Sequence, residues 1–427
     1  MGKEDKFDAI IVGAGPAGTA CAYTLAKAGK SVLLIERGTT AGSKNVTGGR
    51  LYTYALDVVE PGLWQEAQLE RRVTHEELML IDGDRAISID YHDPSFSRPG
   101  ERPQSFTVLR ASFDEWFAAK AEEAGAILAC GIRVDGLVEE NGRIVGVLAG
   151  EDDMYADTVI AADGVNSFIA QKAGLVKDVT PRDLGVGVKE IIELPSAVIE
   201  ERFHLNPGEG SARMMLGCSR GIHGGGFLYT NKESVSLGVV LRPDQVAAGG
   251  RSVHDIFQDL KTHPALAPLL AGGETVEYGA HLVREAGYRG VPEKLYRDGL
   301  LVIGEAAGFL INTGYSIRGI DLAIVSGVAA ARACLSSGDP GPAYRAELDA
   351  LKLLESMRAV DGFTNLMQIE RLYATYPSVA AQTMCELYSV DGSVPKTPKR
   401  AIRGVLQQQK LSLWQLAKDG IRGWRSL

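Results

Sequence analysis

The sequence predicts an α/β protein: a Rossmann-type dinucleotide-binding domain, interrupted by an inserted β-sheet domain and followed by a helical C-terminal region. Three observations carry this prediction. A glycine-rich turn joins an apolar strand to a helix within the first forty residues. A second strand, glycine loop and helix follow near residue 300. Between them the pattern changes to short strands separated by Asn, Gly and Pro turns.

The first unit is the most informative. Ala9-Ile10-Ile11-Val12 reads as a buried strand running into Gly13-Ala14-Gly15-Pro16-Ala17-Gly18. Ala20, Cys21, Thr24, Leu25 and Ala28 then recur at helical spacing, and Ser31 to Ile35 forms a second strand ending in Glu36. Gly13 suits the tight turn, Gly15 lets backbone approach a pyrophosphate, and Gly18 lets helix and strand pack closely. Unpaired N–H groups and the positive dipole end face the phosphates. Glu36, 23 residues after Gly13, can accept hydrogen bonds from a ribose. The chain is expected to bind a dinucleotide.

At 427 residues the chain exceeds one ordinary hydrophobic core, so two joined domains and an appendage are expected. With 45% hydrophobic and 23% charged residues it reads as an ordinary globular protein. The five cysteines include no Cys-x-x-Cys pair, which suits a reducing cytoplasm and offers no metal cage. No run of 18 uncharged apolar residues occurs, and a first strand beginning by Phe7 predicts no signal peptide. Net charge is −9, but eight Lys/Arg and one acid lie from Lys396 onward, leaving −16 for the preceding residues. An acidic body argues against nucleic acid as partner.

After Glu36, Lys44-Asn45-Val46-Thr47-Gly48-Gly49-Arg50-Leu51-Tyr52 is a polar, glycine-paired loop. Composition favours a plain turn; the functional alternative is backbone lying flat on a ring system. His75 to Tyr91 alternates like strands, and three prolines mark 93–103 as an exposed connection. Ser112, with Glu115 three residues on, predicts a capping box opening a helix over Phe113–Ala124, ended by Gly125. Strands over Ile132–Glu139 and Ile144–Ala149 flank an Asn141-Gly142 hairpin signal. Thr158 to Ala162 is a buried strand that stops at Asp163-Gly164-Val165-Asn166-Ser167. That end of a strand is where open α/β sheets bind ligands, although a simple turn fits as well.

From Gly185 to about Leu241 come strands at 186–188, 191–192, 227–229 and 235–241, closed by helices around Val253–Leu260 and Ala265–Leu270. The chain rejoins the first unit with the strand Gly299–Ile303, then Gly304-Glu305-Ala306-Ala307-Gly308, a loop over Asn312–Gly319 and a helix over Ile320–Leu335 ended by Pro340 and Pro342. The expected division is 1–85, 104–180 and 280–345 for the nucleotide domain, 86–103 with 181–279 for the sheet domain, and 346–427 for the helical region.

The Gly13–Gly18 loop with Glu36, the 162–167 run, Gly304–Gly308 and the Arg110, Phe113, Asp114, Trp116 segment resemble the FAD-binding signatures of geranylgeranyl reductases and aromatic hydroxylases. Within that class, Lys44–Tyr52, Gly187-Val188-Lys189-Glu190 and Gly225-Gly226-Phe227-Leu228-Tyr229 resemble the electron-transfer flavoprotein–quinone oxidoreductases, nearest their shorter FixC-like branch. The resemblance extends to about residue 390. It implies FAD, with Gly13, Gly15 and Gly18 at the pyrophosphate, Glu36 at the adenosine ribose and Arg110 on the adenosine or ribityl side; with no His or Cys placed for a covalent link, the FAD is expected to be non-covalent. Asp163 and Gly164 would lie near the flavin–ribityl face, Glu305 near the ribityl and pyrophosphate, and Gly314 to Gly319 at the pyrimidine edge. The Lys44–Tyr52 loop, with Lys44, Asn45, Gly48 and Gly49, would pack on the isoalloxazine. Ala14, Pro16, Ala17, Arg37, Val134 and Gly304 complete the implied set.

The resemblance further implies electrons passing from an electron-transfer flavoprotein to a membrane quinone. Two departures stand out. Most relatives of the wider class carry Asp where Glu305 stands, and long quinone oxidoreductases end in a ferredoxin-like domain that needs clustered cysteines. Either a separate small ferredoxin-like iron–sulfur subunit supplies the cluster, as resemblance to the FixC-like branch implies, or no such relay exists. A prenyl reductase or NAD(P)H-dependent hydroxylase, and a flavin relay subunit silent by itself, are the alternatives. Finally, Leu413, Leu416, Ala417, Ile421, Trp424 and Leu427 share a helical face beside Lys418, Arg422 and Arg425. That face could meet a membrane surface, a partner or the body of the protein. A cytoplasmic protein, peripheral on the cytoplasmic membrane if the first holds, is expected.

Overall fold

The computed structural model describes residues 6–44, 49–176 and 180–426. Its first sheet runs in the order Tyr296–Arg297, Leu300–Val302, Asp152–Ala161, Phe7–Val12, Val32–Glu36, Ile127–Cys130. Leu300–Val302, the second half of Asp152–Ala161 and the three strands after it are all parallel, with Ile11 opposite both Ile160 and Leu34. These strands are continuous apolar runs because both faces are covered, as in other parallel sheets. The helices Pro16–Lys27 and Ile320–Leu335 pack on this sheet and on each other. Their contact is backbone to backbone: a Cβ on Gly327 would fall 2.1 Å from the Ala17 carbonyl oxygen.

The strand Asp152–Ala161 serves two partners, since its first half pairs antiparallel with Arg143–Ala149. The turn into Arg143–Ala149 is Asn141-Gly142, with φ of 51° and 84°. Both residues adopt the left-handed region that a two-residue hairpin turn requires, as the dipeptide predicted.

The second sheet has the order Glu274–Arg284, Leu184–Glu193, Ser234–Leu241, Gly224–Thr230, Glu209–Leu216, Arg72–Asp82, Ser105–Thr107, Arg50–Tyr52, with Arg85–His92 paired to Arg72–Asp82. It draws strands from stretches assigned above to the nucleotide domain, because Glu209–Leu216 pairs in parallel with Arg72–Asp82. Helices Ser196–Phe203 and Val253–Lys261 cover it, burying Ile199, Phe203 and Phe257 against Leu237 and Val239.

Three local expectations are corrected. Ser112 is not an N-cap: the helix spans Arg110–Glu123 with extended Leu109 at its cap, and Arg110 and Asp114 pair across its first turn. The strand expected from Ile132 begins at Gly136. Pro340 does not end a helix but starts the next, Pro340–Ala350, beneath an Asp339 cap, where a missing N–H costs nothing.

The C-terminal helices end in Leu413–Trp424, opened by a Ser412–Gln415 capping box. This helix seats itself by its polar, small-residue face. Asp419 accepts from Arg371 Nε and Nη2 at 2.6 and 2.9 Å and from the Tyr376 hydroxyl, and the Arg371 guanidinium holds its carboxyl below the usual range. Gly423 lies against Leu366, and Ser426 against Gly362. Most of the apolar stripe points outward instead, with Leu413 74% and Trp424 80% exposed, while Leu416 is half-buried. Leu427 lies outside the described residues. Among the described residues no helix is long and apolar enough to cross a membrane.

Candidate functional site

A cavity of about 700 Å³ opens between the carboxyl ends of the parallel strands and the second sheet. That volume is within the roughly 300–1,000 Å³ of ligand sites. Its floor is the glycine turn. Gly13 sits at φ 108°, and a Cβ there would come 2.4 Å from the Ala162 carbonyl oxygen. A Cβ on Gly18 would fall 2.0 Å from the Gly13 carbonyl oxygen, whereas one on Gly15 would meet no protein atom within 4 Å. Gly15 thus faces open cavity at the start of a helix with no side-chain cap. Glu36 accepts from Ala14 N at 3.0 Å and Gly38 N at 2.6 Å, so the loop braces the carboxylate at the rim.

Asp163 accepts from Ile169 N at 2.9 Å through Oδ2, while buried Oδ1 has no partner among the described residues. Burial pushes its carboxyl up to about 6, opposed by backbone N–H groups and by Arg37. Ser167 adopts left-handed φ of 49° and donates to the Ala306 carbonyl at 3.1 Å, tying this turn to the Gly304–Ala307 turn. There Glu305 Oε1 accepts from Arg284 N at 3.1 Å. Burial raises its pKa, against the pull of that N–H and of His281, Arg110 and Arg284. Arg110 forks onto Asp114 at 2.8 and 2.6 Å and also lines the cavity.

Of the residues expected at the site, Gly13, Gly15, Pro16, Ala17, Glu36, Arg37, Lys44, Gly49, Arg110, Val134, Asp163, Gly164, Gly304, Glu305 and Gly319 all line this cavity. Ala14 and Gly18 stand behind its wall. Gly314 lines instead a smaller cavity of about 90 Å³ next to it. Asn45 and Gly48 lie outside the described residues. Gly49 packs on Tyr229, since a Cβ would come 2.3 Å from that ring.

Sequence reasoning missed several wall residues. Arg50 is buried, donates to Ser105 Oγ at 3.0 Å, pairs with Glu76 and lies 4.7 Å over the Tyr52 ring. It stood within the Lys44–Tyr52 loop expected on the ring but was not itself singled out. Phe227 stood inside the Gly225-Gly226-Phe227-Leu228-Tyr229 motif without a role assigned to it, while His281 and Glu285 had no signal, because the second sheet delivers them from strands that look ordinary.

These residues fit FAD. The open space above Gly15, the uncapped helix start and the orphaned Asp163 oxygen suit a large, anionic, hydrogen-bonding ligand. Comparisons agree. The "FAD binding domain" family model matches residues 6–214, "ETF-QO, ubiquinone-binding" matches 184–283, and "ETF-QO/FixC family C-terminal domain" matches 363–427. A geranylgeranyl bacteriochlorophyll reductase-like structure from Thermoplasma acidophilum superposes with TM-score 0.70 at 20% identity, covering 95% of this chain and 96% of that one. The halogenase CndH gives 0.64 at 18%, covering 94% and 89%. At such identities the likeness is one of fold.

Fold and site together define an FAD-dependent oxidoreductase. Bound there, FAD supplies the redox chemistry. The chain is 45% identical to Protein FixC of Escherichia coli strain K12 over 98% of its length and 99% of that protein's. It is 41% identical to YdiS of the same strain, a probable electron transfer flavoprotein-quinone oxidoreductase, over 99% and 100%. The chain belongs to the ETF-QO/FixC family.

Proposed function

We propose that this protein takes electrons from an electron-transfer flavoprotein into its FAD and passes them to a membrane quinone. The observation that carries this reading is the cavity's second wall. Phe227, Tyr229, Val240 and Ala280 to Val283 fall within the ubiquinone-binding match and face the nucleotide domain across one continuous space. In this reading Gly13, Gly15 and Gly18 hold the pyrophosphate, Glu36 the ribose, and Arg110, Asp163 and Glu305 the ribityl region, with Gly319 at the ring. Five scattered cysteines leave an iron–sulfur relay to a separate ferredoxin-like subunit.

Stopped-flow absorbance of the FAD-loaded protein tests this. A reduced electron-transfer flavoprotein is expected to bleach the flavin, and a short-chain quinone to restore it. Bleaching by NAD(P)H alone would favour a prenyl reductase or hydroxylase. Bleaching without quinone turnover would leave a relay subunit.

The tail reaches the quinone's solvent in this reading. Leu413, Trp414, Ile421 and Trp424 are exposed together, Lys418 Nζ lies 5.6 Å over the Trp414 ring, and Arg422 and Arg425 stand beside them. Aromatic and apolar groups flanked by cations suit an anionic bilayer surface, where each Lys or Arg contributes about 1 kcal/mol. Replacing Trp414 and Trp424 by Ser leaves the Asp419 seat untouched. Co-sedimentation with anionic vesicles is expected to weaken by roughly tenfold or more. Unchanged binding would remove the tail from this role.

A further inference from the structure

Reducing a quinone requires two protons as well as two electrons, and the cavity walls show one place where a proton can enter. Glu285 lines both the large cavity and the smaller one beside it. Asn312 Nδ2 donates to its Oε1 at 3.2 Å, and its own N–H is spent on the Asp183 carbonyl at 2.9 Å. The neighbouring strand makes room for the carboxyl with Gly185, where a Cβ would sit 3.2 Å from Glu285 Cδ.

The smaller cavity has the character of a water chamber. Its 90 Å³ is room for several waters, each needing polar partners. Arg182, His223, Arg242, Asn312 and Tyr373 supply them, and Arg182 and Gln368 on its rim are exposed to solvent. The polar wall is fixed. Arg242 Nη1 lies 2.9 Å from His223 Nδ1, His223 Nε2 meets the Met367 carbonyl, and Tyr373 donates to the same carbonyl at 2.7 Å.

We propose that Glu285 is the acid that delivers a proton to the quinone, refilled from water in the smaller cavity. This rests on the quinone reading above. The quinone gains two electrons and two protons to become quinol. With FAD bound, its anionic two-electron-reduced form would supply both electrons and one proton. The second proton leaves the Glu285 carboxyl, which becomes carboxylate and then regains a proton from the chamber. The site's energetics suit the task, since burial pushes this carboxyl up to about 7 against the Asn312 N–H. The charged and titratable groups facing it are Tyr373, whose hydroxyl feels its charge, and across the chamber Arg182, His223 and Arg242. Glu305 also lines the large cavity but has no access to the chamber.

The test uses the FAD-loaded full chain, reduced with dithionite and mixed anaerobically with either a short-chain ubiquinone or ferricyanide, which takes an electron and no proton. In the wild type, reoxidation by quinone is expected to slow as pH rises through about 7, when Glu285 loses its proton. Glu285→Gln should be roughly 10²-fold slower with quinone, without that pH limb, and unchanged with ferricyanide. Glu285→Asp should recover part of the rate and the limb. Infrared difference spectra on quinone addition should show a protonated-carboxyl band in the wild type that Glu285→Gln lacks. A Gln variant with wild-type quinone rates at every pH, a surviving carboxyl band, or an equal loss with ferricyanide would each overturn the assignment. A wild-type flavin that ferricyanide reoxidises and quinone does not would overturn the quinone reading first, and Glu285's role with it.

Discussion

Gly15→Val is expected to give a folded protein that purifies colourless. The position faces cavity rather than protein, so a new side chain meets no wall atom and leaves the fold intact. It does, however, occupy the space into which a pyrophosphate must descend to reach the helix N–H groups. Losing even one charge-assisted hydrogen bond costs about 1.5–3 kcal/mol, so FAD affinity should fall at least roughly tenfold to a hundredfold. Gly18→Ala is the control with the opposite signature. Its Cβ would collide with the Gly13 carbonyl, so the damage falls on the strand–helix packing and the apoprotein itself loses stability. Fluorescence titration of apoprotein with FAD, alongside circular dichroism melting, separates the two. A yellow Gly15→Val protein of normal affinity would rule out this loop as the phosphate site.

The second large effect is expected at Arg71, among the largest fully buried side chains of the described residues. It is 1% exposed and knits four segments together. Nε donates to the Asn231 carbonyl at 2.6 Å, Nη1 to Glu200 at 2.7 Å and the Glu209 carbonyl at 3.2 Å, and Nη2 to Ser196 Oγ at 2.6 Å and the Lys232 carbonyl at 3.0 Å. Its guanidinium also holds the Glu200 carboxyl below the usual range. Arg71→Met strands these acceptors and should cost about 3–5 kcal/mol, a large part of a typical domain's 5–15 kcal/mol. Arg71→Lys keeps the charge but cannot span the same forked set, so it should recover little. Urea unfolding monitored by tryptophan fluorescence measures both. A midpoint unchanged in Arg71→Met would show that neighbouring groups reorganise around the gap.

The βαβ unit with Glu36 was legible because its signals are local: strand, turn, helix and acid follow within thirty residues. The helix Ile320–Leu335 and the Asn141-Gly142 turn were legible for the same reason. Strand partnership was not. Nothing in Arg72–Asp82 announces a parallel partner at Glu209–Leu216, so the second sheet's claim on the first hundred residues emerges only from long-range pairing. Arg110 misled in a different way. Ser112 and Glu115 have capping-box spacing, but the helix already begins at Arg110, which pairs with Asp114 across the first turn. The tail inverted the usual rule, since its seat is the spacing of Asp419, Gly423 and Ser426, residue types that no hydrophobic pattern scores as a contact face. Glu285 was invisible because two cavities converge on it only after both sheets have formed.

The seat of that tail helix has a second side. Arg371, Leu366 and Gly362, which receive Asp419, Gly423 and Ser426, belong to the same short stretch whose Thr364, Met367, Gln368 and Tyr373 line the smaller cavity. One thin layer of chain is therefore both the bearing for the outermost helix and the partition of an inner chamber. Any coupling carried across that shared layer is reciprocal. Whatever factor a surface gripping Trp414 and Trp424 imposes on occupancy of the inner cavities, a molecule bound in those cavities imposes the same factor on the grip.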